Sequence, residues 1–251
     1  MKTEKPTLLI DGDTLVYEAC FAVETPIHWG NDWWTLHADA AEAKQKIDAE
    51  VVELVEKLDA GGYKVCLSHP ENFRKTIDPT YKSNRTSRKP ICYGEVKAYV
   101  KEAWDAVMWP NIEADDCMGI LATADPENTI IVSIDKDMRG VPARVYNYRK
   151  PELGVVSISE AEADRFHLMQ TLTGDTVDGY PGCPGIGPKR AEAIADGGWE
   201  AVVEAYAKAG LGEQFAITQA RLARILRSGE YIKKTGRIKR YWTPGVKHAP
   251  A

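Results

Sequence analysis

Cysteine is sparse and scattered in this sequence. Five stand at positions 20, 66, 92, 117 and 183, and no two form a Cys-x-x-Cys pair. That spacing excludes zinc-finger patterns and points to reduced thiols in a cytoplasm. Long apolar runs are missing too, so nothing approaches a membrane span. The start, Met1 to Pro6, lacks the apolar core of a signal peptide. There is no internal repeat and no low-complexity tract. What is left is a chain of 251 residues, 44% hydrophobic, able to fill one large core or one core with a small appendage. Positive charge is not in surplus: 32 Lys and Arg against 37 Asp and Glu give a net −5. That balance argues mildly against a polyanionic partner, but distribution matters more than the sum.

What the chain does have is acid at the ends of apolar segments. Thr7-Leu8-Leu9-Ile10 reads as a buried strand and runs into Asp11-Gly12-Asp13-Thr14, with a helix through Cys20 behind it. Asp11 is a candidate site residue; Asp13 is either a second one or a helix cap. Glu113-Ala114-Asp115-Asp116 opens another helix. Thr129 to Ile134 is a β-branched run ending in Asp135 and Asp137. In open α/β sheets, ligand sites form outside the carboxyl ends of the strands. Carboxylates so close repel one another unless cations hold them or they are solvated in separate turns. Asp175 and Asp178 follow a helix that Ser159 and Glu162 open as a capping box.

Basic residues gather in two places. One runs from Arg74 to Lys89 and includes Lys82 and Arg85. The other runs from Arg221 to Arg240, with Glu230 as its single acid. An acidic pocket with two basic flanks suits a polyanion processed at bound metal; ordinary solvated faces are the alternative. Between the acids and the tail, Gly185-Ile186-Gly187-Pro188-Lys189-Arg190 opens a helix with free backbone N–H groups, a phosphate site backed by two cations. His28 to His37 reads as a hairpin turning at Gly30-Asn31. Its Trp29, Trp33 and Trp34 are expected to pack onto the body, with stacking on bases as the alternative. Residues 72–90 read as polar and outside the core, and 72–110 as an arch or lid over the pocket. The strand–helix part covers 1–158; 159–251 reads as helical and ends in the basic tail.

The acids Asp11, Glu113, Asp115, Asp116, Asp135, Asp137, Asp175 and Asp178 form an oxygen-only donor set, which selects Mg²⁺ or Mn²⁺ over zinc. Two such ions about 4 Å apart can activate water and hold the leaving oxygen of a phosphodiester. At this point the sequence resembles the flap endonuclease and 5′-to-3′ exonuclease family, closest to phage-encoded exonucleases. The resemblance rests on Ile10-Asp11-Gly12-Asp13, Asp78-Pro79-Thr80-Tyr81-Lys82-Ser83-Asn84-Arg85, Glu113-Ala114-Asp115-Asp116, Ser133-Ile134-Asp135-Lys136-Asp137, and Gly174-Asp175-Thr176-Val177-Asp178-Gly179-Tyr180 running into the Gly185–Ala191 stretch. These pieces fall in family order and cover 7 to about 230.

The resemblance implies a PIN-like α/β core, a mostly parallel sheet flanked by helices, with a helix-hairpin-helix region after it. It implies a first metal on Asp11, Glu113, Asp115, Asp116 and Asp135, and a second on Asp137, Asp175 and Asp178. Lys82 and Arg85 would face the scissile phosphate, with Tyr81 beside them. Gly185, Ile186, Gly187, Lys189 and Arg190 would hold duplex backbone, with a potassium ion at that hairpin. The implied partner is DNA with a 5′ end, flap or nick, or an RNA–DNA hybrid, bound by a monomer in the cytoplasm, that of the host if phage-encoded. Two departures stand out: Ser68-His69 occupies the place of a usual family aspartate, and the arch is short. If Ser68 faces the first metal, then water, His69 or Asp13 has to complete the site. Two rival readings remain. A phosphatase of the haloacid dehalogenase class would use Asp11-Gly12-Asp13, and a non-catalytic DNA-binding module would use the hairpin and tail alone.

Overall fold

The computed structural model describes residues 5–245. Strand β1 (Thr7–Asp11) leads into helix α1 (Gly12–Ala22), and a hairpin of β2 (Glu24–Gly30) and β3 (Trp33–Ala38) follows. Helix α2 (Ala40–Lys57) then returns the chain to β4 (Gly62–Cys66). A single turn, α3 (Arg74–Ile77), precedes α4 (Tyr93–Ala103), α5 (Ala114–Ala124) and β5 (Thr129–Val132). Strands β6 (Arg144–Tyr146) and β7 (Val155–Ser157) complete one sheet in the order β4-β1-β5-β6-β7. All its pairings are parallel except β6 with β7.

The central strands read as unbroken apolar runs because both faces are covered. On one face, Leu8 and Ile10 pack with Val16, Ile47, Val51 and Val96. On the other, Leu9 and Ile131 pack with Ile112, Cys117, Met118 and Leu226. Gly12 is required where α1 leaves the sheet, since a Cβ there would lie 2.5 Å from Val65 Cγ1 and 2.8 Å from the Cys66 carbonyl oxygen. This close approach sets Asp11 at the carboxyl edge, level with Cys66 of β4. The remaining helices are α6 (Glu160–Thr173), α7 (Pro188–Ala195), α8 (Gly198–Lys208) and α9 (Glu213–Ala223). They share a separate cluster around Leu172, Ala191, Val202 and Tyr206. The Ser159–Glu162 capping box forms as expected.

Several expectations need correction. The tryptophans of β2 and β3 do not pack onto the body: Trp29, Trp33 and Trp34 are 67%, 73% and 61% exposed. The hairpin turns at Asn31 and Asp32, both in the left-handed region, rather than at Gly30-Asn31. The stretch 72–90 is not wholly outside the core, because Phe73, Arg74 and Tyr81 are buried. Helix α4 sets Val96 and Val100 into the main core, the face its apolar spacing implies. The region after 159 is not all helical, since β8 (Tyr231–Ile232) and β9 (Arg237–Ile238) form a hairpin. Two arginines of the basic run, Arg224 and Arg227, are buried rather than solvated. Glu230 pairs with Arg224 at 2.7 Å, and Asp164 with Arg227 at 2.7 Å. The last residues of the tail lie outside the described residues.

Candidate active site

The carboxyl edge of the sheet gathers the acids in two groups. Asp11 ends β1, is buried, and caps α1 by accepting from Thr14 N at 3.1 Å and Thr14 Oγ1 at 2.7 Å. Ser133, just past β5, adds its hydroxyl to Asp11 at 3.0 Å and accepts the Asp135 N–H at 3.1 Å. Asp115 sits in the first turn of α5. Burial pushes its carboxyl well above the usual range, and Asp11, Asp135 and Glu113 push it the same way. Burial raises Asp11 as well, with Asp13 adding to it against the hydrogen bonds that favour its charge. Asp11, Glu113, Asp115 and Asp135 thus belong to one electrostatic cluster.

Asp137 leads the second group. Burial raises its carboxyl to about 7, helped by Asp135, Asp175 and Asp178 and opposed by Lys136. Gln170 of α6 donates to Asp137 at 2.7 Å, and Lys136 reaches Asp175 at 3.3 Å. Asp175 and Asp178 lie on a tight loop in which Asp175 Oδ1 accepts from Val177 N and Asp178 N at 2.8 and 3.3 Å.

Between the groups stands a basic clamp. Lys82 Nζ bonds Glu113 Oε1 and lies 3.5 Å from Asp178. Arg85 pairs with Asp178 at 2.6 Å. The Tyr81 hydroxyl donates to Asp178 at 2.8 Å and to Glu113 at 3.1 Å. Lys82 adopts a φ of 58°, and its N–H bonds the Asp178 carbonyl at 2.8 Å, which fixes the clamp to the acidic loop. Burial alone would disfavour charge on Glu113, but Lys82 and Arg74 outweigh it and hold its carboxyl at about 2.

Asp116 does not join either group. Its carboxylate is fully buried in a two-pronged pair with Arg74 at 2.7 and 2.8 Å, and it also accepts from Leu226 N at 3.0 Å. With these donors and the Glu113 N–H at 3.2 Å, it has no oxygen turned toward the other acids. Alone among the expected ligands, its carboxylate is fully buried in a two-pronged pair with an arginine. Asp13 and His69 are likewise engaged elsewhere. Asp13 accepts from Lys97 and from Ser68 N at 2.7 Å each, while His69 Nδ1 accepts from Glu71 N at 3.1 Å. The loss of Asp13 removes the second acid of the phosphatase reading. Ser68 Oγ accepts the Ala114 N–H at 2.9 Å, at the mouth of α5.

Sequence reasoning missed three residues here: Arg74, Lys136 and Gln170. Arg74 was lost in a basic run read as solvated. Lys136 had a legible signal, a cation between two acids. Gln170 had none, since only the packing of α6 against the Lys136–Gly140 turn brings it near.

Among the described residues, no three His, Cys, Asp or Glu side chains form a ready-made metal cluster, because cations are interleaved with the acids. The donor set nonetheless fits a hard dication. It is all oxygen, and Asp11, Asp115 and Asp137 are raised by burial and by neighbouring carboxylates, the condition that bound positive charge relieves.

The family model "5′-3′ exonuclease, N-terminal resolvase-like domain" matches residues 6–165. The exodeoxyribonuclease of Enterobacteria phage T3 is 30% identical, over 96% of this chain and 94% of that protein. The exonuclease of Escherichia phage T7 is 29% identical, over 91% and 90%. In fold, the chain is similar to the bacteriophage T5 D15 flap endonuclease solved with DNA and metal ions, at a TM-score of 0.61 and 15% identity, over 87% of this chain and 89% of that one. The extent of these matches, over a PIN-like sheet with acids at its carboxyl edge, settles the family: the chain belongs to the 5′-3′ exonucleases, and is a nuclease.

Proposed function

We propose that this nuclease hydrolyses phosphodiesters near the 5′ ends of DNA, as an exonuclease and a structure-specific flap endonuclease, with two Mg²⁺ or Mn²⁺ ions. The observation that carries the reading is the clamp: Lys82, Arg85 and Tyr81 bond directly into acids drawn from both carboxylate groups. Phosphate and dications are what such a mixed surface would exchange for its internal ion pairs. Asp11, Glu113, Asp115 and Asp135 would hold one ion, and Asp137, Asp175 and Asp178 the other. When bound, the ions supply charge neutralisation at the phosphodiester and a lowered pKa for water.

The chain's own groups do the rest. Lys82 and Arg85 present cations to the developing phosphate charge, and the Tyr81 hydroxyl orients Glu113 and Asp178. The Gly185–Gly187 turn, with Lys189 and Arg190 exposed beside it, would hold duplex backbone and a potassium ion. The names of the phage T3 and T7 relatives support DNA as substrate. An RNA–DNA hybrid is a second substrate of the same shape. A monomer in the cytoplasm suits the reading, and among the described residues no helix is long and apolar enough to cross a membrane.

The test is cleavage of 5′-labelled nicked and flapped duplexes. Chelator should abolish it, and Asp135→Asn should abolish it while DNA binding persists. Cleavage that survives chelator would overturn the proposal.

A further inference from the structure

The C-terminal hairpin has no part in the site described above, and its charge is unmatched. Lys233, Lys234, Arg237, Lys239 and Arg240 crowd onto β8, β9 and their flanks, all exposed. None of their side chains makes an ion pair or hydrogen bond among the described residues; Lys233 alone has a ring contact, lying 4.8 Å over Trp109. In a chain of net charge −5, such a surplus is local. It is also rigidly presented. Buried Glu230 accepts the Arg227 N–H at 2.9 Å, while its own carbonyl takes the Lys239 and Arg240 N–H groups at 2.8 and 3.3 Å. Tyr231 stacks on Trp109 with ring centroids 5.9 Å apart, and Asn111 donates to the Gly236 carbonyl at 3.2 Å. With the backbone held firmly, an anionic partner has only the side chains of these unpaired cations to order.

The position of the hairpin says which partner. It is seated on the cluster of Phe73, Ile112 and Met118, through Tyr231 and Ile238. The Gly185–Arg190 turn belongs instead to the cluster around Leu172 and Ala191, through Cys183 and Ile186. The chain links the acids to both supports. Glu113 follows Asn111, which grips the hairpin, and Asp175 and Asp178 lead into the Gly185 turn. A cleft of about 560 Å³ next to the hairpin carries Lys75 and Arg237 on its walls, with Glu71 as the opposing acid. Resting on the nuclease reading above, we propose that the β8–β9 hairpin is a second phosphate-backbone site for the substrate nucleic acid, carried on a different cluster from the Gly185–Arg190 turn.

The experiment measures DNA affinity by fluorescence anisotropy against salt, with chelator present, for the full chain and two variants. One carries Lys233→Gln, Lys234→Gln and Arg237→Gln; the other, made independently, carries Lys239→Gln and Arg240→Gln. Each neutralised phosphate contact contributes about 0.9 to the log–log salt slope on duplex and about 0.7 on a single strand, so the triple variant should lose about 2–3 of slope. Single-turnover cleavage at saturating protein should not change. Nicked duplexes with one arm shortened, and substrates with a 5′ single-stranded extension, identify the source of the phosphates. Loss confined to the long-armed duplex assigns duplex backbone, and loss confined to the extension assigns a single strand. Unchanged affinity and slope in both variants would overturn the proposal and leave the hairpin as a contact for an acidic protein surface. Wild-type cleavage of the same duplexes in Mg²⁺ separates the two readings. If it occurs while the variants bind normally, the hairpin proposal alone fails. If the wild type neither binds nor cleaves, both fail.

Discussion

Replacing Asp116 by Asn tests whether this acid holds metal or holds the fold. Its four donors are Arg74 Nη1 and Nη2 at 2.7 and 2.8 Å, Leu226 N at 3.0 Å and Glu113 N at 3.2 Å. Arg74 in turn donates to the Leu222 and Arg224 carbonyls at 3.0 and 2.6 Å. One ion pair therefore ties α3, α5 and the end of α9 together, joining the sheet to the helical region. The guanidinium is 3% exposed and Asp116 is fully buried, so solvent cannot take over either charge. Removing one partner of a buried pair typically costs about 3–5 kcal/mol, because the other charge is left desolvated. For a chain of this size that is about 6–20 °C in Tm. The assay is thermal melting together with Mg²⁺ titration of cleavage well below the variant's Tm. We expect a large fall in Tm and an unchanged Mg²⁺ midpoint. The double change Arg74→Met, Asp116→Leu should not recover the stability, since it leaves the Leu222 and Arg224 carbonyls and the Leu226 N–H without these partners. A stable Asp116→Asn protein with a raised Mg²⁺ midpoint would refute the assignment and return Asp116 to the ligand set.

Lys82→Ala should lower the single-turnover rate by about 10²–10³, the usual cost of one oriented electrostatic group, and far more than it lowers DNA affinity; equal losses in both would count against its placement at the reacting phosphate. Ser68→Asp should lower the Mg²⁺ concentration for half-maximal cleavage, because its side chain already meets the start of α5 at Ala114 N and a carboxylate there adds negative charge beside Glu113 and Asp115; an unchanged midpoint would mean that position 68 does not face the ion. His167 gives a pH prediction. It is buried, donates Nε2–H to the Ala220 carbonyl at 2.7 Å, and is held down to about 3 by burial and then by Arg224. The unfolded chain takes up this proton near pH 6.5 and the folded one only near 3, so stability is complete above about 6.5 and falls by about 1.4 kcal/mol per pH unit below it. Urea unfolding at pH 6.5 and 5.0 should show a loss of about 2 kcal/mol from this residue that His167→Gln lacks; parallel pH slopes in the two proteins would refute it.

The parts of this molecule that were legible in sequence are those set by local chemistry. Apolar runs gave β1 and β5, and acids at their ends gave the site edge, because a parallel sheet puts strand ends and helix starts together. The Ser159–Glu162 box was legible for the same reason: both partners lie within one turn. The misreadings concern groups whose partners are far off in the chain. Arg74 and Asp116 are 42 positions apart, and nothing local distinguishes a paired arginine from a solvated one. Arg227 and Asp164 are the same case. Asp116 looked like a ligand because it stands beside Asp115, yet consecutive residues on a helix point in directions about 100° apart. One of the two necessarily faces away from the sheet edge, and Arg74 is what it meets. The tryptophan hairpin failed differently: aromatic content predicts burial on average, but a two-stranded ribbon has two faces and packs at most one of them on a body.

The internal ion pairs of the clamp also bear on how the site waits for its substrate. Seven acids at one edge would be strongly self-repelling, and the carboxyls of Asp11, Asp115 and Asp137 are raised first by burial and then by neighbouring acids. Lys82 and Arg85 relieve it at Glu113 and Asp178, while Lys136 relieves it at Asp175. The cations that would serve the phosphate are therefore the same ones that pair with the acids. Arg85 is half exposed, so its pair with Asp178 costs little to open, whereas Lys82 and Glu113 are largely covered and exchange partners only when both charges are met elsewhere. Phosphate satisfies Lys82, and positive charge among the acids satisfies Glu113. Neither alone repairs the other's loss, so occupation of the phosphate position and of the acid cluster should be cooperative. Measured on a duplex whose backbone resists cleavage, DNA affinity should rise with Mg²⁺ in the wild-type clamp and lose that dependence when Lys82→Ala is added. Equal Mg²⁺ dependence in both would show that the clamp and the acids act independently.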